Sequence, residues 1–143
     1  MQVRIEIVEG LEEPEVLIRT GKLSEEIRRL ETILMGESIN GYRDSEVFRI
    51  RTGDIVRIYG ERQRVYAQTK DGVYLLHQRL YVLENQLDGR RFLRISNSEI
   101  VNCDMIARLD ISVAGTIGVE LEGGIQTFAS RRYVKKLREY LGL

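Results

Sequence analysis

Cysteine and histidine are nearly missing from this chain of 143 residues, which holds one of each, Cys103 and His77. A lone thiol cannot close an internal disulfide, which suits a reducing cytoplasm. One His with one Cys also leaves no ligand set for a His/Cys metal site. Long apolar runs are missing too: nothing approaches the roughly 20 residues of a membrane-spanning helix, and no basic-then-apolar leader opens the chain. The sequence has no glycine-rich phosphate loop, no zinc-type spacing and no nucleophile elbow. His77 stands without a Ser or Cys partner at a recognisable spacing. The expectation is a cytoplasmic protein that is not an enzyme, with no cofactor and no small-molecule substrate. Glu12-Glu13-Pro14-Glu15 reads as solvated surface, and Cys103, near a turn, as a small packing group rather than a redox switch.

Net charge is absent as well, with 22 basic and 22 acidic residues. The balance hides a segregation. Residues 1–45 hold 6 Lys/Arg against 10 Asp/Glu, a net of −4, and residues 46–143 hold 16 against 12, a net of +4. A basic part beside an acidic part is a signature of nucleic-acid binding and favours the C-terminal part as the binding half.

The first 45 residues read as a small α/β module. Val3 to Ile7 alternates with period two, and Val16-Leu17-Ile18 follows Pro14 as a second short strand. Ser24 sits where an N-cap belongs, Glu25 and Glu26 complement the helix dipole, and Leu23, Ile27, Leu30 and Leu34 form one apolar stripe. Gly36 ends that helix, and Asn40 to Asp44 reads as a linker. From Val47 the texture changes to short strands: Val47 to Ile50, Ile55 to Tyr59, and Arg64 to Thr69 joined through Asp71-Gly72 to Val73–His77. A short helix over Arg79–Leu87 follows, then strands over Phe92–Ile95, Met105–Val113, Ile117–Leu121 and Ile125–Phe128, the last two turned by Gly123-Gly124. Ser130 caps a terminal helix whose apolar stripe is Tyr133, Val134, Leu137, Tyr140 and Leu141. Tyr59, Tyr66, Tyr74 and Tyr81 suit either base stacking or half-buried packing. No internal repeat or low-complexity tract is present.

Two blocks carry the functional signal. In Phe92 to Asn102, two apolar segments flank Ser96-Asn97-Ser98, with Arg94 just ahead. Taken alone this is an ordinary turn, yet small hydroxyls, an amide and a guanidinium also suit phosphate oxygens and base edges. The second block, Ala129 to Leu137, joins a helix start to Arg131, Arg132, Lys135 and Lys136. Together these blocks, over about Val47 to Leu143, resemble the LytTR family of bacterial transcription regulators.

The resemblance implies an α+β fold. A mostly antiparallel, elongated β stack with short helices spans residues 46–143, presents loops rather than a recognition helix to double-stranded DNA, and follows the small α/β module of residues 1–45. It also implies three base-reading loops. Within Glu61 to Arg64, Gln63 or its Arg neighbours stand where some relatives have a histidine. Asn97 occupies the base-contacting position of the second loop, and Arg132 that of the third. Arg64, Ser96, Ser98, Arg131 and Lys135 are expected on the phosphate backbone, helped by the amides of the helix N-terminus. So short an N-terminal part is below the size of a receiver domain. The expected type is therefore receiver-less, for which the resemblance implies a homodimer and a small membrane-protein antagonist. The competing expectation is a protein-interaction module whose basic half meets an acidic partner protein.

Overall fold

Period-two patterning becomes strand wherever a tight turn brings two alternating runs together. The computed structural model describes all 143 residues, with elements in the order α1 (Glu25–Met35), β1 (Ser38–Arg43), β2 (Glu46–Arg51), β3 (Ile55–Glu61), β4 (Arg64–Thr69), β5 (Gly72–Leu76), α2 (Leu80–Gln86), β6 (Phe92–Ser96), β7 (Glu99–Asn102), β8 (Ile106–Asp110), β9 (Ile117–Leu121), β10 (Ile125–Ala129) and α3 (Arg131–Leu141). Seven strands form one sheet in the order β2-β1-β5-β4-β3-β7-β6, and three form a second, β10-β9-β8. Every pairing is antiparallel. The fold is α+β and mostly antiparallel, as expected.

Two cores lie on opposite faces of the β6–β7 hairpin. Phe92 and Ile100 turn toward Ile58, Leu76 and Leu83 of α2. Leu93, Ile95 and Val101 turn the other way, toward Ile117, Leu121 and Leu137 of α3. Alternation thus sends successive residues of one hairpin into different cores, and all four residues of β7 are buried. Asn102, fully buried, closes the end of β7. Its amide nitrogen donates to the Ile55 carbonyl at 2.9 Å and its oxygen accepts from Asp104 N at 3.0 Å.

Three expectations are corrected. Val3 to Ile7 and Val16 to Ile18 pair with nothing: residues 1–24 contain neither helix nor strand. Alternation marks a face that a partner would cover, and within one chain no strand edge meets these segments. Of the N-terminal module only α1 forms, from the Ser24 cap, whose hydroxyl accepts from Ile27 N at 3.3 Å, to Gly36. Second, the stretch read as a linker, Asn40 to Asp44, is the end of β1 and its turn into β2. Third, the strand expected over Met105–Val113 is only β8. A short 3-10 turn over Cys103–Met105 precedes it, and Asp110 accepts from Ser112 N at 2.9 Å to turn the chain away.

Gly41 shows why the second correction was hidden. A glycine inside a polar run reads as a turn, but here it is the buried residue of β1, where Ile50 and Tyr74 cross the strand. A Cβ there would sit 2.8 Å from the Tyr74 Cβ and overlap Ile50. Gly41→Ala should therefore destabilise the domain by about 1–3 kcal/mol in urea denaturation, the range for overpacking. A linker glycine would instead tolerate alanine or gain slightly.

Cys103 lies half-buried, and burial pushes its thiol up to about 11. At pH 8 the folded protein should react with iodoacetamide at least about tenfold more slowly than the urea-unfolded chain. Mass spectrometry of timed samples reads both rates, and equal rates would remove the thiol from this packed position.

Candidate nucleic-acid interface

The β6–β7 turn is held from inside. Arg94, whose side chain is only 15% exposed, donates to the Ser96 carbonyl at 3.0 Å and to the Asn97 carbonyl, and pairs with Glu84 of α2 at 2.7 Å. The guanidinium that the sequence offered to phosphates is spent on the turn itself. Ser96 is also partly engaged: its hydroxyl accepts from Ser98 N at 3.2 Å and lies 3.4 Å from the Ser98 hydroxyl. Asn97 and Ser98 are left exposed at the tip.

The start of α3 is pinned beside this tip. Ser130 N donates to the Ile95 carbonyl at 2.9 Å, and the Tyr133 hydroxyl donates to Asn97 Oδ1 at 3.1 Å. Asn97 is thus fixed with its amide NH2 free, a donor waiting for an acceptor. Ser130 occupies the N-cap position but its side chain makes no capping bond, so the first-turn amides of Arg131 and Arg132 stay open. Arg132 is exposed, with its guanidinium 5.7 Å from the Tyr133 ring centre. Arg131 and Lys135 take a different edge of the helix, where with Arg138 and Gly115 they line a shallow groove.

The third loop reaches the same end through the sheet. β3 pairs with β7 up to Tyr59 opposite Glu99, and Gly60 N donates to the Ser98 carbonyl at 2.8 Å. The β3–β4 turn, Arg62-Gln63, projects just beyond. Both of its residues have positive φ, 51° and 64°, the backbone of a two-residue type I′ hairpin turn. Gln63 and Arg64 are exposed. Behind the turn, burial raises the Tyr59 pKa against the pull of Arg57, which keeps the phenol neutral.

The structure therefore brings Asn97, Ser98 and Arg132 to one place with Gln63 and Arg64 beside them, and sets Arg131 and Lys135 on the flank. None of the cations Arg62, Arg64, Arg131, Arg132 and Lys135 is in an ion pair, whereas Arg57, Arg91, Arg94 and Arg108 all are. Sequence reasoning missed Arg94, Glu84 and the Tyr133 hydroxyl as the parts that set the geometry. Tyr133 was legible only as a member of the apolar stripe. His77, just past the end of β5, stacks flat on Tyr42 of β1, centroids 3.7 Å apart, so its ring is occupied on the side of the sheet away from β7.

Comparison with known proteins agrees with the fold. The sequence profile of the LytTr DNA-binding domain matches residues 45–142. HTH-type transcriptional regulators of Staphylococcus aureus, from strains bovine RF122 and NCTC 8325, are 38% identical over 103 residues, which cover 72% of this chain and 69% of theirs. In this chain no two helices are consecutive, so the helix-turn-helix in those names has no counterpart here. The solved LytTr DNA-binding domain of a methyl-accepting/DNA response regulator from Bacillus cereus superposes with a TM-score of 0.73. It is 17% identical, covering 75% of this chain and 98% of that one. With strands, loops and terminal helix in this arrangement, and with relatives this close, the chain belongs to the LytTR DNA-binding domain family.

Proposed function

We propose that this protein is a transcription regulator that recognises a specific double-stranded DNA site with Gln63, Asn97 and Arg132. The observation that carries the reading is the Tyr133–Asn97 hydrogen bond, which joins the start of α3 to the β6–β7 turn. Two loops held in register by a side-chain bond suit a pair of base contacts whose spacing must match the groove.

The residue chemistry divides the labour. Arg132, exposed and unpaired, matches the two acceptors of guanine. Asn97, its oxygen held by Tyr133, is left as a donor for an acceptor on a base edge, and Gln63 at a hairpin tip has both amide functions free. Arg64, Arg131 and Lys135 suit phosphate oxygens, as do the Ser98 hydroxyl and the open amides of α3. Ser96 belongs to the same group with less freedom, because its hydroxyl already serves the turn. No cofactor, metal or catalytic step is part of this mechanism.

The protein acts in this reading as a cytoplasmic homodimer, with residues 1–45, apart from β1 in the large sheet, serving assembly or regulation rather than DNA contact. Their net charge of −4 is repelled by the duplex. A small membrane-protein antagonist belongs to the same reading on family resemblance alone. No helix of the chain is long and apolar enough to cross a membrane.

Selection of bound duplexes from a random pool defines the site, and mutants then sort the contacts. Arg132→Ala should weaken binding to the selected site by about 1–3 kcal/mol while changing random-duplex affinity much less. Equal losses on both would make Arg132 a phosphate contact. Lys135→Gln should lower affinity alike on all sequences and reduce the slope of log K against log salt by about one unit. No selected sequence, with capture of acidic proteins instead, would replace this reading by the interaction-module one.

Tyr133→Phe isolates the coupling between the loops. It should change stability by no more than about 1 kcal/mol yet broaden the base preference at the Asn97 position, as repeated selection would show. An unchanged selected site would mean that Asn97 needs no help from Tyr133.

A further inference from the structure

The first 35 residues are a surface waiting for cover. No residue before Gly41 is buried, and α1 has no buried residue. Of the 20 large apolar residues exposed in the whole chain, 12 fall in residues 1–35, among them Val3, Ile5 and Ile7 at 85%, 87% and 94% exposure. Solvated linkers do not concentrate apolar side chains in this way, nor does a segment meant for a polyanion.

Val3-Arg4-Ile5-Glu6-Ile7 is self-complementary. Laid antiparallel on an identical strand and centred on Ile5, it places Val3 opposite Ile7, Ile5 opposite Ile5, and Arg4 opposite Glu6, with the unlike pairs occurring twice. One face is then wholly apolar and the other carries two cross-strand ion pairs. Neighbouring registers lose this. A slip of one residue sets apolar against charged positions, and the next registers set Arg4 against Arg4 or Glu6 against Glu6. Parallel in-register pairing stacks like charges at both positions. A pattern satisfied in only one register is what specifies a strand pairing.

We propose that Val3–Ile7 pairs antiparallel with the same segment of a second copy, making a two-fold symmetric dimer through the N-terminal part. This rests on the reading above that the protein acts as a homodimer, and names the surface that makes it one. A two-stranded ribbon is marginal alone and needs its apolar face covered. α1 carries the cover: Ile27 and Leu30 are half-exposed, and Leu23 and Leu34 are 59% and 49% exposed along the same stripe. An isologous contact of this kind closes on itself and stops at two subunits. It also leaves both DNA-reading ends free, because Gln63, Asn97 and Arg132 lie on elements that take no part in it.

Charge exchange tests the pairing in the full chain. R4E sets a new carboxylate against Glu6 in both pairs, and E6R sets a new guanidinium against Arg4. Either should weaken self-association in sedimentation equilibrium by roughly tenfold, given the size of cross-strand charge effects. The double variant R4E/E6R restores opposite charges and should recover the dimer, and R4E mixed with E6R should form a heterodimer. Because nothing before Gly41 is buried, thermal unfolding of the domain should be unchanged in all of them. If the wild type dimerises but the exchanges have no effect, or the double variant fails to recover, the self-pairing is wrong while the homodimer reading stands. A wild type that stays monomeric with and without DNA overturns both.

Discussion

Strand β7 has no face toward solvent, and the placement of the loops around it follows from that constraint, since its neighbours β6 and β3 must share its two cores. Ile100 belongs to the core under α2 and Val101 to the core under α3 and the smaller sheet. A hairpin locked on both faces cannot tilt or slide without opening one core or the other. The turn at its end is therefore a rigid post, and Asn97 stands on it. The same burial captures Glu99, whose carboxylate takes Arg57 at 3.3 Å and the Thr127 hydroxyl at 3.0 Å, linking the large sheet to the small one. Its second oxygen has no partner. Buried pairs of this kind cost desolvation and add little net stability. What this one contributes is position, because only one relative placement of the sheets satisfies it.

Position is also what the polar groups around the turn contribute. Arg94 reaches two carbonyls of the turn and Glu84 of α2, so the tip is tied to a helix in one core. Tyr133 ties the same tip to a helix in the other. The neutral Tyr133 bond contributes about 0.5–1.5 kcal/mol net, and hydrogen bonds from a charged group such as the Arg94 guanidinium about 1.5–3 kcal/mol. Their joint effect is to remove rotamers from Asn97 before any ligand arrives, which lowers the ordering cost that binding would otherwise meet.

Most of the strands were legible because period two and turn residues are local signals. Asp71-Gly72 and Gly123-Gly124 mark hairpins, and the structure has turns at both. The stripe Tyr133, Val134, Leu137, Tyr140 and Leu141 identified α3, with Leu137 fully buried. What stayed illegible depends on distant partners. Gly41 reads as a turn until Tyr74 and Ile50 are known to cross it, and Val3 to Ile7 reads as a strand although the single chain has no mate for it. At the candidate site the residue types were legible but their employment was not. Arg94 and Arg132 are the same residue type, each within a few residues of a serine-bearing turn, and only the fold reveals that one is spent internally and the other is free.

That distinction also resolves the neutral net charge. A total of zero says little about the field at a surface patch, because exposed charges farther apart than about 8 Å are screened at physiological salt. Locally, the sign depends on which cations have carboxylates beside them. Arg57, Arg91, Arg94 and Arg108 are neutralised by Glu99, Asp104, Glu84 and Glu120. Arg62, Arg64 and Arg132 are not, and they sit on the β3–β4 turn and at the start of α3, either side of the β6–β7 turn, while Arg131 and Lys135, also outside any ion pair, line the flank. The acidic excess sits instead in residues 1–45, whose only helix packs into neither core. A chain that is neutral as a whole therefore presents an unneutralised basic end, and keeps its surplus carboxylates on the part that has most reason to meet another protein.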